Sequence, residues 1–391
     1  MRYQKGSVAL AASAMLALAG LARAGGYSVT NLISDDTSLI PAQLQDPNLV
    51  NPWGIAFKGT SPIWLSDNNA GTASSYSIGA SGPTAGTFIG IPAPDGTPGG
   101  TPTGAVGNPT TTGFQVGGKA SAFIFDTEDG TVAAWSPPAG TATLMVNNSA
   151  GGAVYKGLAV ATSGVNTQLY ASNFNSGNVD VFNSSFQPVN LGTGAFSDPN
   201  NPLPPTPGHP GFAPFGIQTI GSNVYVTYAL QDSAQHDDVA GAGNGFVDVF
   251  NTAGILQQRL ITGGALNSPW GLAVAPASFG EFGGDLLVGN FGNSRINAFD
   301  PASGVFLGTL DDSAGNPVLL SDATDVKGLW GISFGNGAKG FDANTLYFTS
   351  GALDESHGLF GSVSVPEPAS ASILLLGGVG LLGRRRRGTS R

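Results

Sequence analysis

The sequence predicts an all-β protein folded as a six-bladed β-propeller, and three observations lead to this prediction. A short glycine-centred element recurs six times along the chain. A strand–turn–strand pattern with Asn, Asp and Gly at the turn follows each copy. Hydrophobic residues make up 41% of the chain, yet few stretches repeat with the helical period of about 3.6 residues. Several copies of one β-unit closed into a ring form a propeller.

The repeated element has an aromatic or other side chain, then a glycine, then apolar residues. It is clearest at Pro52–Phe57, Pro269–Val274 and Leu329–Phe334. The glycines of the six copies lie 50 to 60 residues apart, at Gly54, Gly104, Gly157, Gly216, Gly271 and Gly331. The inner strands of a propeller converge on its axis, where a side chain would crowd the neighbouring backbone. Each glycine is therefore placed on an inner strand.

A hairpin follows each inner strand. In Leu169–Phe182 and Leu286–Phe299, alternating apolar residues flank an Asn/Gly turn, which suits positive backbone φ angles. With a further outer strand, each unit makes a four-stranded blade. The last copy of the repeat has only three strands before the terminal segment. Tyr27–Ile33 is a predicted strand that precedes the first copy and belongs to none of the six. We predict that it closes the sixth blade and covers its edge, so that residues 25–364 form one propeller domain.

The first 24 residues have the pattern of a signal peptide. Two basic residues, Arg2 and Lys5, precede an apolar stretch. Ala22 and Ala24 then form the small-x-small pattern that signal peptidase cleaves, which predicts cleavage after Ala24. The chain is therefore expected to cross the inner membrane.

The last segment, residues 365–391, has three parts. They are Pro366-Glu367-Pro368, an apolar run over 369–383, and the cluster Arg384, Arg385, Arg386 and Arg387. This arrangement resembles the PEP-CTERM sorting signal, which implies processing by an exosortase and a cell-surface or extracellular destination. Before processing, the run would be a short transmembrane helix of about 22 Å, against about 30 Å of hydrocarbon. A permanent C-terminal anchor is the alternative.

Charge and cysteine content exclude several classes of function. Eight of the 15 Lys and Arg residues lie in the terminal segments, so residues 25–383 have seven basic and 25 acidic residues, a net charge of −18. Nucleic acid binding depends on phosphate neutralisation by Lys and Arg, so no nucleic acid partner is expected. The chain has no cysteine, which excludes disulfides, thiolate nucleophiles and Cys-type zinc sites.

The hairpins resemble NHL-type repeats, and Tyr27–Val363 resembles a little-characterised family of bacterial exported propellers that often carry PEP-CTERM tails. The resemblance covers nearly the whole chain. The stretches that carry it are Asn31–Asp36, Asn51–Ile55, His236–Gly241, Asn267–Gly271 and His357–Phe360. It implies export and a six-bladed propeller with NHL-like blades, but no established reaction.

A ring of oxygen ligands is one candidate site. The ends of the second strands supply Asp67, Asp126, Asn173, Tyr228, Asn290 and Ser350. Carboxylate and amide oxygens suit Ca²⁺, so Asp67, Asp126, Asn173 and Asn290 are candidate ligands at the channel mouth. This arrangement resembles that of propeller lactonases and gluconolactonase-like enzymes. The alternative is that these side chains hydrogen-bond their own turns.

Two inserted turns supply candidate catalytic residues. His236 and Asp237 lie in the turn of the fourth blade, and His357 lies in that of the sixth. If the loops fold inward, these residues could act as general bases or metal ligands. The alternative is a solvated acidic loop, since the spacing fits no zinc motif.

Ligand contacts at the channel mouth are the third candidate. Asn51 and Asn267 lie in loops that enter inner strands, and Trp53, Trp270 and Trp330 precede the repeated glycines. The indoles could stack on a sugar ring, which would suit an exopolysaccharide. Alternatively, they pack as core between blades.

The sequence therefore predicts an exported, non-enzymatic binding or scaffold propeller. Its expected partners are signal peptidase and exosortase during processing, and exopolysaccharide or surface proteins afterwards. The alternative is a Ca²⁺-dependent hydrolase or lactonase with its site at the channel mouth, and calcium is the one cofactor considered. The sequence contains no Gly-Lys-Ser/Thr phosphate loop, Gly-x-Ser-x-Gly elbow or His-Glu-x-x-His pair.

Overall fold

Six β-sheets surround a common axis, and the first strands of successive sheets contact one another in a closed cycle. The computed structural model describes residues 26–321 and 327–366. The predicted signal peptide and the parts of the sorting signal from Glu367 onwards, including the helix and the arginine cluster, lie outside the described residues. Among the described residues, no helix is long and apolar enough to cross a bilayer.

The first strands of the chain are β1 (Ser28–Ser34) and β2 (Leu44–Gln45). Blade 1 contains β3 (Pro52–Ala56), β4 (Ile63–Asp67), β5 (Thr72–Gly79) and β6 (Gly82–Gly90). Blade 2 contains β7 (Pro102–Gly107), a small hairpin of β8 (Gln115–Val116) and β9 (Lys119–Ala120), then β10 (Phe123–Thr127), β11 (Thr131–Trp135) and β12 (Thr143–Asn147). Blade 3 contains β13 (Tyr155–Ser163), β14 (Asn166–Asn173) and β15 (Asn178–Asn183).

Blade 4 contains β16 (Phe212–Ile220), β17 (Asn223–Leu230), β18 (Phe246–Asn251) and β19 (Leu256–Thr262). Blade 5 contains β20 (Pro269–Val274), β21 (Leu286–Asn290), β22 (Arg295–Phe299) and β23 (Phe306–Thr309). Blade 6 contains β24 (Leu329–Phe334), β25 (Leu346–Ala352) and β26 (His357–Ser364). The helical segments of the described residues are three short 3₁₀ turns, Ser149–Gly151, Gly280–Phe282 and Phe291–Asn293.

The predicted closure of the ring is confirmed. Strand β1 pairs antiparallel with β26, from Ser28 opposite Ser364 to Ser34 opposite Leu359. The short strand β2 pairs parallel to β1 and makes this sheet five-stranded. Because the first and last strands of the body share one sheet, the ring is tied shut by backbone hydrogen bonds.

Blade 3 departs from the predicted four strands, because its sheet has only three. After β15 the chain keeps one bridge to that strand, between Phe182 and Pro188, and then runs to Phe212 as a loop that contains one further bridge, between Thr206 and His209. This stretch contains seven prolines between positions 188 and 210. Proline has no backbone N–H to donate to a ladder, so a regular fourth strand does not form.

The role predicted for the repeated glycines is confirmed. A Cβ added at Gly216 would overlap the backbone carbonyl of Trp270 in the next blade, and one at Gly104 would overlap the backbone of Leu158. At Gly331 and Gly54 the added atom would lie 2.6 Å and 2.5 Å from carbonyl oxygens of the next inner strand. The inner strands therefore approach each other as closely as backbone allows.

Apolar clusters fill the space between neighbouring blades. Between blades 1 and 2, Trp64 packs against Trp135 and Phe123, with ring centroids 4.7 Å and 5.1 Å away. Between blades 2 and 3, Ile124 and Leu158 belong to one buried cluster. This alternation of sheets and apolar layers holds the inner strands in place around the axis.

Candidate functional site

One face of the propeller gathers side chains from all parts of the chain. On this face, which we call the mouth face, the turns between second and third strands meet the loops that enter the inner strands. Asn51, which precedes β3, donates through Nδ2 to Oε2 of Glu355 in the β25–β26 turn, at 2.8 Å. Asn68 in the β4–β5 turn donates to Oε2 of Glu128 in the β10–β11 turn, also at 2.8 Å. Hydrogen bonds on this face therefore join blade 1 to its two neighbours, blades 6 and 2.

An aromatic plug lies beneath these polar groups. It comprises the side chains just before four of the repeated glycines, Trp53, Phe215, Trp270 and Trp330, together with Phe174 and Phe291. Trp53 and Trp330 stack with centroids 3.4 Å apart, and Phe291 stacks on the far side of Trp330 at 4.1 Å. The plug gives the mouth face an apolar floor.

The three predicted sugar-stacking tryptophans are buried in this plug. Trp53 and Trp330 are 2% exposed and Trp270 is 9% exposed. Indole faces that are packed against other rings are not available to a saccharide in this conformation, so packing in the core accounts for them. Asn51 is also buried and accepts a hydrogen bond from Trp330 Nε1, and Asn267 accepts one from the Gly241 amide. Both Asn side chains thus orient the loops of the mouth face.

Lys156 occupies the position of the plug tryptophans in blade 3, and its side chain is 2% exposed. Its Nζ forms an ion pair with Glu128 Oε1 and a second with Asp237 Oδ1, 3.1 Å away. It also lies 5.3 Å from the centroid of the Trp53 ring. Burial lowers the pKa of Lys156, but the two carboxylates outweigh this effect, so the pKa is raised overall. A buried ammonium therefore forms part of the floor.

Carboxylates surround this ammonium, and we call Glu128, His236, Asp237, Asp238 and Glu355 the mouth cluster. Glu128, His236 and Asp237 each place one potential ligand atom within 4.8 Å of the others. His236 Nδ1 lies 2.9 Å from Asp237 Oδ1, and this hydrogen bond raises the pKa of His236 and lowers that of Asp237. Burial raises the pKa of Asp238 and that of Glu355, the latter to about 7.

Glu355 is held over the mouth by an unusual turn. Leu353, Asp354 and Glu355 have consecutive φ values of 52°, 54° and 64°. Non-glycine residues rarely adopt positive φ, and three in succession store conformational energy. Asn69 Nδ2 donates to the Glu355 carbonyl at 2.7 Å and so fixes the turn to blade 1.

The predicted oxygen ring is not a single ring, because Asp126 is displaced from it by one residue. The residue opposite the start of the inner strand is Asp67 in blade 1 but Thr127 in blade 2. Successive strand residues face opposite sides of a sheet, so Asp126 and Asp67 do not share a face. Asp126 instead accepts from the Gly104 amide at 2.7 Å, as Thr227 does from Gly216.

The other predicted ligands of this ring bond to their own surroundings. Asp67 accepts from Thr72, Asn173 donates to Asp180, and Asn290 donates to the Ala265 carbonyl. These contacts fit the alternative in which the side chains stabilise turns. Cation binding by Asp67, Asn173 or Asn290 stays a prediction.

The two insert-loop histidines are not brought together. His236 lies in the mouth cluster, as the inward-folding loop predicts. His357 instead places Nδ1 2.7 Å from Asp35 Oδ2, at the end of the closing strand β1. The condition that an insert loop folds inward is therefore not met by His357, because β26 begins at this residue and its imidazole bonds Asp35 beside the closing strand.

Two central residues of the site, Lys156 and Glu128, were missed at the sequence level, whereas Glu355 lies in the inserted turn of the sixth blade that also supplied His357. A signal for Lys156 existed, since it occupies a repeat position that is aromatic in four copies. Glu128 lies in the β10–β11 turn and Glu355 in the β25–β26 turn, but nothing in the sequence distinguished their carboxylates from those of solvated turn residues. Their partners lie 28 and 304 positions away in the chain.

The opposite end of the channel has a different character. A vestibule of about 280 Å³ opens there, lined by residues such as Ala56, Val106, Val160, Gln218 and Thr219. None of its lining residues carries a charge. The vestibule therefore lacks the charged side chains that converge on the mouth face.

Residues 364–387 match the PEP-CTERM protein-sorting motif. Uncharacterized protein R648 of Acanthamoeba polyphaga mimivirus is 30% identical over 343 residues, covering 86% of this chain and 80% of that protein. Uncharacterized protein L690 of the same virus is 29% identical over 346 residues, covering 86% and 85%. A glucose dehydrogenase structure superposes with a TM-score of 0.50 at 10% identity, covering 87% of this chain and 100% of that one, which supports the propeller fold alone.

Proposed function

This chain belongs to the family that includes uncharacterized protein R648 of Acanthamoeba polyphaga mimivirus, and we propose that it is a non-enzymatic propeller that binds saccharide through its mouth face. The PEP-CTERM motif makes it an exported protein that is processed by an exosortase and has a surface or extracellular fate. The observation that carries the proposal is the convergence of the mouth cluster and two asparagines on a closed floor.

The mouth face offers the groups that hydroxyl-rich ligands need. Glu128 and Glu355 supply carboxylate acceptors, and Asn68 and Asn69 supply amides that can donate and accept. The aromatic plug lies beneath them, so a ligand at this face would meet polar groups above a floor of packed rings. A few convergent polar groups beside apolar and aromatic side chains are typical of small-ligand binding.

We expect substitutions on the mouth face to reduce binding to exopolysaccharide of the organism that makes the protein. The double variant Asn69→Ala/Glu355→Gln should lose at least about tenfold in affinity, because two polar contacts worth about 1 kcal/mol each are removed. Co-sedimentation of the purified, processed protein with the polysaccharide measures this. The matched control is Gln218→Ala in the uncharged vestibule at the opposite end, which should bind normally. Equal binding by all three proteins would contradict the mouth face as the saccharide site.

A hydrolase remains the second candidate, and one observation favours it. Glu355 has a pKa of about 7 because it is partly buried, which is the range that suits a general acid or base at neutral pH. If the protein hydrolyses lactones or esters, activity should rise with pH through about 7, as the carboxylate forms, and fall by about 100-fold in Glu355→Gln. A screen of lactones and esters by pH-stat measures this, with His357→Gln as the control away from the mouth. Turnover that Glu355→Gln leaves unchanged would exclude this role.

A further inference from the structure

We propose that the end of the propeller opposite the mouth face is a membrane-contacting surface, which faces the bilayer while the sorting segment is still attached. The partner is the lipid headgroup layer of the membrane that the exported chain crosses. We call this end the vestibule face, because the inner strands end there around the uncharged vestibule. The inference concerns the end away from the saccharide site, so it does not depend on the proposed function and is tested without saccharide.

The described chain ends at the vestibule face. Inner strand β20 begins at the mouth face, so the loop over 275–285 that follows it lies at the vestibule end. Val365 packs against the buried cluster that contains Phe279 of this loop. In the sequence, two residues separate Pro366 from the apolar run over 369–383. Because each residue extends the chain by at most about 3.6 Å, a membrane that receives this run lies close to the vestibule face.

One hairpin extends further than the others at this face. Strand β13 continues for six residues past its repeated glycine, Gly157, whereas the other five inner strands end two to four residues past theirs. Strands β13 and β14 stay paired as far as Ser163 opposite Asn166, and Val165 at the tip is 97% exposed. Residues 157–178 include no charged side chain. The tip therefore suits the headgroup layer, where an apolar side chain is stabilised and no charge has to be desolvated.

Other exposed apolar side chains lie at the same end. Val274 ends strand β20 and is 41% exposed. Third strands run in the same direction as first strands, so the turns that follow them also lie at the vestibule end. Ile255 and Val305 lie in two of these turns and are 61% and 58% exposed. A single exposed apolar residue is ordinary, but several at the end where the chain leaves the propeller indicate an interaction surface.

The two faces also differ in charge. The turns between second and third strands, at the mouth face, contain seven acidic residues and no lysine or arginine. The loops between first and second strands, at the vestibule face, contain three acidic residues and three lysines, Lys58, Lys119 and Lys339. An anionic leaflet attracts lysines near its surface and repels carboxylates. Such a leaflet therefore favours approach of the vestibule face, and the mouth face then points away from the membrane.

The test uses the unprocessed chain, made in a host without exosortase and reconstituted in vesicles of phosphatidylethanolamine and phosphatidylglycerol. The natural chain has no cysteine, so one introduced cysteine carries the only label. Val165→Cys places a nitrobenzoxadiazole fluorophore at the hairpin tip. The matched control Val239→Cys places it on an exposed valine in the β17–β18 turn of the mouth face.

We expect spin-labelled lipid to quench the fluorophore at position 165 at least about fivefold more strongly than at position 239, because only the first enters the headgroup layer. Both substitutions are at exposed side chains, so both variants should fold normally. Equal quenching at the two positions, or stronger quenching at position 239, would overturn the proposal.

The lysines provide a second test in the same vesicles. Adding Lys119→Glu to the Val165→Cys chain should lower quenching at position 165 by at least about half, because the anionic leaflet repels the new carboxylate. The matched control is Arg295→Glu, an exposed position where β22 begins at the mouth face, and it should leave the quenching unchanged. Quenching that falls equally in both variants would contradict an orientation in which the vestibule face contacts the membrane.

Discussion

Replacing Asp126 with Asn is expected to stabilise the protein by about 4 kcal/mol more at pH 8 than at pH 4. Asp126 is fully buried, and this burial raises its pKa from 3.8 to about 7. The hydrogen bonds from Thr103 and the Gly104 amide offset only part of the effect. Its Oδ2 has no hydrogen-bond partner among the described residues. The folded protein therefore holds the proton much more tightly than the unfolded chain does.

The raised pKa of Asp126 decides whether stability rises or falls with pH. Below pH 4 the carboxyl is protonated in both states, and its contribution to stability is fully present. As the pH rises from about 4 to about 7, the unfolded chain releases the proton while the folded one retains it, so the free energy of unfolding falls. Asn keeps an acceptor oxygen and never ionises, so it removes this loss. Any other effect of Asp126→Asn on the free energy of unfolding is the same at both pH values.

Urea unfolding at pH 4, 6 and 8 measures the effect as a difference between variant and natural protein. Other buried carboxyls with raised pKa, including Asp248 and Glu355, shape the profile of both proteins equally and cancel. The control Asp95→Asn removes an exposed carboxylate whose pKa is lowered by Thr97, so it should show no such gain at high pH. A difference between Asp126→Asn and the natural protein that stays constant with pH would contradict the burial argument.

The large features of the fold were predictable because they repeat. Six glycines at similar spacing specified six inner strands, since backbone crowding at the axis acts on every copy alike. The closure by Tyr27–Ile33 was predictable for a similar reason, because a sixth blade with three strands leaves an edge to cover. Blade 3 broke the pattern where prolines replaced the strand residues that donate hydrogen bonds.

The site was less predictable because it depends on single-residue register and on loop direction. Asp126 and Asp67 looked equivalent in sequence, but a one-residue shift placed them on opposite sides of their sheets. His236 and His357 both lie in inserted turns, yet only His236 joins Glu128 and Asp237, whereas His357 bonds Asp35. Lys156 replaces an aromatic residue of the repeat, and its meaning depends on Glu128 and Asp237, which reach it from two other blades.

Converting Gly216 to Ala is expected to destabilise the protein by about 3 kcal/mol, the upper end of the usual cost of overpacking. The added Cβ would overlap the carbonyl oxygen of Trp270 on the next inner strand, and it would lie 2.9 Å from Thr227 Oγ1. A flexible side chain could move away from such a contact, but a backbone carbonyl within a sheet cannot. Relief would require blades 4 and 5 to separate, which would loosen the aromatic plug that contains Phe215, Trp270 and Trp330.

Gly140→Ala is the matched control for this change. An added Cβ at Gly140 meets nothing within 4 Å, and its φ is not in the left-handed region. The same substitution there should leave stability within about 0.5 kcal/mol, or raise it slightly by restricting the unfolded chain. Urea midpoints compare the two variants, and tryptophan fluorescence reports on the plug. An equal urea midpoint for Gly216→Ala and Gly140→Ala would show that the inner strands can accommodate a Cβ atom. Crowding at the axis could then not be the reason that all six copies of the repeat carry glycine.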